Sequence, residues 1–198
     1  MLHTVLATRV RPMERPSMIV LADTRIFGER TARSRRRIEP AVSTLLAHGV
    51  PLILVSPERA ARVRAVQAAL GIHAPFISAG GAELHVPRGY FDEMLGLGPR
   101  RNDWNIIKFD ASADARGFSG AIRMLLLLYW SRRDDGKVVG VTDRETMILT
   151  LADIPILVRN SRIDQAVVHA QAPDAYWTRA AGPAGWAEGI LGPIEAWP

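Results

Sequence analysis

Short apolar segments alternate with amphipathic segments along most of the chain, and this alternation limits the fold more than any other feature. Continuous apolar runs make up all or most of Met18–Ala22, Val50–Val55, Lys137–Val141 and Ile154–Val158. Strands that are buried on both faces need such continuous runs, whereas half-exposed strands alternate apolar and polar residues. We therefore predict an α/β fold, a doubly wound and mostly parallel sheet with helices on both faces.

The segments between these runs have the spacing and the terminating residues of helices. Thr31–His48 and Glu58–Leu70 carry apolar residues three and four apart, and a glycine follows each of them. Ser119–Trp130 is the third predicted helix. Pro75–Ser78 is predicted to be a short strand that enters a hairpin through Glu83–Val86. The tail beyond the last apolar run, which is rich in tryptophan, is predicted to form short turns.

Composition excludes several classes of protein. The chain has no cysteine, so a disulfide scaffold, a thiolate metal site and a cysteine nucleophile are excluded. Its five histidines are scattered, and none of them has the spacing of a helical zinc site. No apolar run approaches the roughly 20 residues that a membrane span requires. We expect a soluble, cytoplasmic protein without a membrane partner.

The net charge of +5 comes almost entirely from arginine, because Lys108 and Lys137 are the only lysines. Nine of the arginines lie within residues 1–37. A basic arm for a nucleic-acid backbone is one interpretation. A solvated helix face preceded by an extension over residues 1–17 is the other. We favour the second because no aromatic or base-reading motif accompanies the charge, and nucleic-acid binding stays a weaker alternative.

Three predicted strands end in polar residues with suitable chemistry, namely Asp23, Ser56 and Asp143. Ligands of parallel α/β sheets bind beyond the carboxyl ends of the strands, so these side chains are expected in one crevice. Asp23 could act as a carboxylate nucleophile, and the hydroxyl of Ser56 could bind a phosphoryl oxygen beside the following helix. Asp23 and Asp143 could hold Mg²⁺, which prefers oxygen ligands. The set indicates a phosphoryl-transfer site.

The sequence resembles the haloacid dehalogenase (HAD) superfamily, and most closely the mannosyl-3-phosphoglycerate phosphatases. The resemblance covers residues 18–90 and 117–198. It rests on IVLADTRIF, PLILVSPERAARVRAVQAALGIHAPFISAGGAEL, KVVGVTDRETMILTLADIPILVRN and GPAGWAEGI, which occur in the order of the family's segments. It implies the HAD-like fold, a phosphatase lineage, a magnesium cofactor, Asp23 as the nucleophile and Asp143 as a metal ligand.

The chain departs from the family's catalytic pattern at three positions. The aspartate that serves the family as general acid is replaced by Arg25, whose guanidinium does not release its proton. The family's lysine is replaced by Ser119, and its second acidic-motif carboxylate is replaced by Met147. Of the two lysines, only Lys108 is a plausible stand-in, provided that its loop folds over the crevice.

These departures suggest new roles for arginine at the crevice. Arg25 could pair with Asp23 or with Asp143, and so take part of the metal position. Alternatively, Arg25 and Arg144 could bind an anion directly, in place of Mg²⁺ and lysine. The predicted anion-binding residues are Ser56, Arg25, Arg144 and Lys108. Asp23 and Ser56 are the predicted catalytic residues.

The family's large cap domain is nearly absent. Only residues 91–117 remain where relatives insert it, within a core over residues 18–198, and this stretch is too short to form a packed domain. We predict a loop with a short helix, in which Trp104 and Phe109 cover the crevice. The exposed face could admit a bulky ligand, could be the result of a lost lid, or could form a homodimer.

The sequence thus predicts a degenerate HAD-like protein, related to sugar-phosphate phosphatases, that binds a phosphorylated small molecule or another anion with little or no turnover. The alternative is an active Mg²⁺-dependent phosphomonoesterase with Asp23 as the nucleophile. In that case Lys108 or a partner subunit would complete the site.

Overall fold

A computed structural model describes residues 16–27, 32–91, 104–109, 117–130, 136–144, 146–162 and 164–194. Residues 1–15 of the predicted extension and most of the predicted cap remnant lie outside these ranges.

The described chain forms one eight-stranded sheet in the order β5-β4-β3-β2-β1-β6-β7-β8. The antiparallel pairs are β3–β4 and β4–β5, and all other neighbours are parallel. The strands are β1 Met18–Asp23, β2 Leu52–Val55, β3 Phe76–Ser78, β4 Glu83–Pro87, β5 Trp104–Lys108, β6 Lys137–Thr142, β7 Ile154–Arg159 and β8 Tyr176–Ala181.

The continuous apolar runs form the centre of this sheet, as predicted. Every residue of β1 and β2 is buried, and β6 is buried from its second residue onward. Successive side chains of a strand point to opposite faces, so the burial of every β1 residue shows that both faces of the sheet are covered there. The predicted hairpin is confirmed by the antiparallel pairing of β3 and β4.

Helices cover both faces of the sheet, which confirms the predicted doubly wound α/β class. The chain moves from β1 through β2 to β3 in one direction, and from β6 through β7 to β8 in the other. Right-handed crossovers place the helices of these two halves on opposite faces. The helices are α1 Ala32–Ala47, α2 Ala60–Leu70, α3 Gly117–Tyr129, α4 Thr146–Thr150, α5 Gln165–Gln171 and α6 Gly182–Ile194. Within the described residues, none of them is both long and apolar enough to cross a bilayer.

The prediction of short turns in the tail is wrong, since the tail forms β8 and α6. Two glycines allow α6 to lie directly on the sheet. A Cβ atom at Gly185 would stand 2.2 Å from the carbonyl oxygen of Ala180, and one at Gly189 would stand 2.6 Å from Ile156. Glycine weakens an isolated helix, so the contact with the sheet outweighs its low helix propensity.

The described part of the predicted cap remnant is a strand. Trp104–Lys108 forms β5, which pairs with β4. Trp104 pairs with Pro87 at the end of β4 that is remote from the crevice, and its ring packs 5.1 Å from that of Phe76. The prediction that Trp104 covers the crevice is therefore wrong. Phe109, which follows β5, packs beside Gly120 of α3.

Candidate functional site

Polar side chains collect along the edge of the sheet at which the parallel strands end, called here the carboxyl edge. Neighbouring strands β2, β1 and β6 bring Ser56, Asp23 and Asp143 to this edge, as the sequence predicts. All three are buried. Parallel pairing thus brings together residues that lie more than thirty positions apart in the chain.

Asp23 is held by Arg25 through both of its carboxylate oxygens. The Nε of Arg25 lies 3.0 Å from Oδ1 and 2.9 Å from Oδ2, and its Nη2 donates to Oδ2 at 2.6 Å. The backbone N–H of Arg25 donates to Oδ1 at 2.9 Å, and the hydroxyl of Thr142 donates to Oδ2 at 3.4 Å. The chain's own donors therefore occupy the acceptor sites of this carboxylate. Asp23 has a side chain 2% exposed, while that of Arg25 is 25% exposed.

Asp143 has a guanidinium of its own. Arg144 donates from Nε to Oδ1 and from Nη2 to Oδ2, both at 2.9 Å. The side-chain amide of Asn160, just after β7, donates to Oδ2 at 3.1 Å. The hydrogen bonds and charge of Asp143, with a smaller contribution from the charge of Asp23, raise the pKa of Arg144 above its ordinary value. Arg144 is consequently a permanent cation at this edge, with its side chain 45% exposed.

Ser56 lies on the other side of Asp23 and is held in a hydroxyl network. The hydroxyl of Thr24 donates to Ser56 Oγ at 2.7 Å, and the backbone N–H of Glu58 donates to the same oxygen at 3.1 Å. Thr24 belongs to the 3₁₀ turn Thr24–Phe27, which directly follows β1. This turn also carries Arg25, so a single local element supplies partners to both Asp23 and Ser56.

Lys108 lies far from Asp23, Ser56 and Asp143. It ends β5 and pairs with Glu83 of β4, four strands away from β1. Neighbouring strands are about 4.8 Å apart, so the backbone of Lys108 lies roughly 19 Å from that of Asp23 along the sheet. A lysine side chain does not span that distance. The prediction that Lys108 completes the site therefore does not fit the sheet order.

A second polar cluster lies on the same edge, between Lys108 and Ser56. The hydroxyl of Ser78 donates to Glu83 Oε2 at 3.2 Å, and Nε2 of His85 lies 2.9 Å from the same oxygen. His85 is buried and stacks on Phe76. Burial lowers the pKa of His85, while its hydrogen bond lowers the pKa of Glu83. The buried Nδ1 of His85 has no partner among the described residues, so a second proton would be unsatisfied there.

The magnesium ion that the resemblance implies does not fit this donor set. Mg²⁺ needs oxygen ligands with available lone pairs, usually carboxylates. Both oxygens of Asp23 and both of Asp143 accept from guanidinium groups. Met147 offers only a thioether, which is a soft ligand. In the described segments, no group of three or more His, Cys, Asp or Glu side chains could hold a metal ion.

Comparison with solved structures agrees with the topology. The yhjK protein of Bacillus subtilis, a haloacid dehalogenase-like hydrolase, has a TM-score of 0.58 at 11% identity, with 92% of this chain and 93% of that chain covered. The fold is that of the HAD-like hydrolases. A probable yrbI family phosphatase from Pseudomonas syringae has a TM-score of 0.54 at 16% identity, covering 93% and 91% of the two chains.

A solved structure of a Thermoplasma acidophilum protein is similar with a TM-score of 0.55 at 13% identity, covering 92% of this chain and 98% of that one. No family model matches the sequence, and comparison with curated proteins finds no match. The similarity therefore establishes the fold, and the chemistry must be argued from the residues of this chain.

Three side chains of the site were missed by the sequence analysis, namely Thr24, Thr142 and Asn160. Thr24 directly follows Asp23, Thr142 ends β6 directly before Asp143, and Asn160 directly follows β7. A polar residue at the end of a predicted parallel strand was thus the available signal. Asn160 shows it, because it lies two positions after the predicted strand Ile154–Val158.

Proposed function

We propose that this chain is a HAD-like protein, derived from the sugar-phosphate phosphatases, that binds a phosphorylated small molecule or a related anion at the carboxyl edge and has little or no hydrolase activity. The observation that carries the proposal is the engagement of both Asp23 oxygens by Arg25. A nucleophile needs a lone pair that can reach phosphorus. The chain's own donors hold these lone pairs.

Proton transfer argues in the same direction. In the phosphatases that the sequence resembles, the residue two positions after the nucleophile protonates the leaving oxygen. A guanidinium there stays charged and supplies no proton. Ser119, at the place of the family's lysine, brings no positive charge. Three groups that phosphate-ester hydrolysis would use are therefore replaced or blocked together.

Anion binding is supported by the charges that remain accessible. Arg25 and Arg144 both expose part of their guanidinium groups at the carboxyl edge. Guanidinium binds phosphate and carboxylate through pairs of N–H donors. The hydroxyls of Thr24, in the 3₁₀ turn after β1, and of Ser56, directly after β2, are hydrogen-bonded to each other at the same edge. We infer that an incoming phosphate contacts the exposed sides of both arginines.

The experiment measures binding and turnover separately. Calorimetric titration with inorganic phosphate, 3-phosphoglycerate and a hexose phosphate should show binding that Arg144→Ala weakens at least tenfold. Arg123→Ala is the matched control, because Arg123 is an exposed arginine on α3 and lies outside the site. Absence of binding by the wild-type protein would refute the proposal.

The second candidate is an active Mg²⁺-dependent phosphomonoesterase. Its support is the placement of Asp23 and Asp143 at the carboxyl ends of the neighbouring strands β1 and β6, where the resemblance puts the nucleophile and a metal ligand. Phosphate release in the presence of Mg²⁺ that Asp23→Asn abolishes would establish this candidate and overturn the first. Cytoplasmic location, a homodimer through the uncapped face and weak nucleic-acid binding stay predictions.

A further inference from the structure

The positive charge beside Asp23 comes from the chain itself. Arg25 lies two residues after Asp23, in the 3₁₀ turn that begins where β1 ends. This connection is so short that the backbone N–H and the side chain of Arg25 bond the same carboxylate. The local fold therefore places a cation directly beside Asp23.

The saturation of the two carboxylates has a consequence for metal ions. Asp23 accepts five hydrogen-bond contacts from Arg25 and Thr142, and Asp143 accepts from Arg144 and Asn160. A divalent ion could coordinate these oxygens only after displacing the guanidinium groups. It would also meet two fixed positive charges, which oppose a third cation at close range.

We propose that the guanidinium of Arg25 is a built-in counter-ion that replaces a divalent metal ion at this site. Ligand binding at the carboxyl edge is therefore independent of Mg²⁺, and a divalent ion binds Asp23 only when Arg25 is removed. The statement about ligands rests on the proposed function, whereas the statement about metal ions stands on the Asp23–Arg25 geometry alone.

The first arm of the test uses Mn²⁺ as the probe, followed by electron paramagnetic resonance of the free ion. Wild-type protein should show no saturable Mn²⁺ binding at concentrations up to about 1 mM. Its dissociation constant would then be on the order of a thousandfold larger than that of a micromolar site. Arg25→Ala should bind Mn²⁺ at least tenfold more tightly, and Asp23→Asn combined with Arg25→Ala should lose that gain. Arg25→Lys keeps the charge and should bind as weakly as the wild type.

Two results of this arm would overturn the proposal. One is wild-type binding of Mn²⁺ that is as tight as in Arg25→Ala and is abolished by Asp23→Asn. The other is equal, weak binding by all variants. If Arg25→Ala does not fold, Arg25→Gln takes its place, because the glutamine amide is neutral and can still donate a hydrogen bond to Asp23.

The second arm titrates wild-type protein with inorganic phosphate, once with 5 mM Mg²⁺ and once with EDTA. The dissociation constants should agree within a factor of two. A tenfold tighter constant with Mg²⁺ would overturn the inference while leaving the proposed anion binding intact. No phosphate binding under either condition would instead refute the proposed function, and the Mn²⁺ arm would still decide the role of Arg25.

Discussion

Two partly buried polar clusters share the carboxyl edge of the sheet, and their carboxylates bind different kinds of hydrogen-bond donor. Asp23 on β1 is matched by the full charge of Arg25. Glu83 on β4 is matched by a hydroxyl and by an imidazole whose pKa burial has lowered. The first cluster pairs a carboxylate with a guanidinium, whereas the second contains a histidine whose pKa burial holds below its ordinary value of 6.5. The comparison indicates that the first cluster is fixed electrostatically and that the second depends on solution pH.

The largest expected effect comes from breaking the first cluster. Arg25→Ala leaves the buried carboxylate of Asp23 without its cation, which should lower the free energy of unfolding by about 2–4 kcal/mol, less than a fully buried pair would lose because water reaches Arg25. Denaturant unfolding measures the loss. The double variant Asp23→Asn with Arg25→Ala should be more stable than Arg25→Ala. If Arg25→Ala unfolds like the wild type, the first cluster is not fixed by charge.

The next effect comes from the second cluster. Ser78→Ala removes a buried hydroxyl that donates to a carboxylate, and we expect a loss of about 1–2 kcal/mol. The change leaves Nε2 of His85 as the donor to Glu83. Denaturant unfolding is again the measurement, with Ser43→Ala on the exposed face of α1 as the control. A loss equal to that of Arg25→Ala would show that the clusters do not differ in strength.

A smaller effect is expected from the arginine beside Asp143. Arg144→Ala should lower the free energy of unfolding by about 0.5–1 kcal/mol, because water screens the half-exposed guanidinium and Asn160 still donates to Asp143. The same variant is expected to weaken phosphate binding strongly. Unfolding and binding measured on one preparation separate these roles. A stability loss as large as that of Arg25→Ala would contradict the prediction that Arg144 mainly binds the ligand and contributes little to the stability of the fold.

The smallest expected effect is the pH dependence of the second cluster. The lowered pKa of His85 in the folded state means that the unfolded chain binds more protons in mild acid. The contribution of His85 to the free energy of unfolding is therefore complete above the pKa of the unfolded chain, about 6.5, and is lost as the pH falls below that value. The lowered pKa of Glu83 adds a loss in the same direction only below its ordinary value of 4.5.

Melting temperatures at pH 7.5 and pH 5.5 test this dependence. The wild type should melt lower at pH 5.5, and His85→Gln should reduce the difference. His48→Gln, at an exposed position at the end of α1, should leave the difference unchanged. If His85→Gln keeps the full difference between the two pH values, His85 is not its source.

The sequence was sufficient to predict the centre of the fold because burial determines both the residues and their order there. The runs that became β1, β2 and β6 are apolar without interruption, and parallel pairing of such runs places Asp23, Ser56 and Asp143 together. The pairing of Arg25 with Asp23 was one of two alternatives. Only the backbone of the 3₁₀ turn decides between them, since it aims Arg25 at the carboxylate two residues before it.

The errors lie where tertiary contacts override local preference. The segment WNIIK is five residues long, and its pairing with β4 gives it strand structure within a stretch that was predicted as loop and helix. The helix α6 contains four glycines, and its close contact with the sheet at Gly185 and Gly189 outweighs their low helix propensity. The cluster of Ser78, Glu83 and His85 depends on hairpin register, which residue types alone do not specify.

The close approach of α6 to the sheet also bears on how relatives of this chain can be recognised. Any side chain at Gly185 or Gly189 would collide with backbone or with a packed branched residue, so a sequence that keeps this contact must keep glycine at both positions. Site residues can change when a protein changes its ligand. The two glycines, four positions apart and separated by Trp186, Ala187 and Glu188, therefore form a more durable search pattern than the residues at the carboxyl edge.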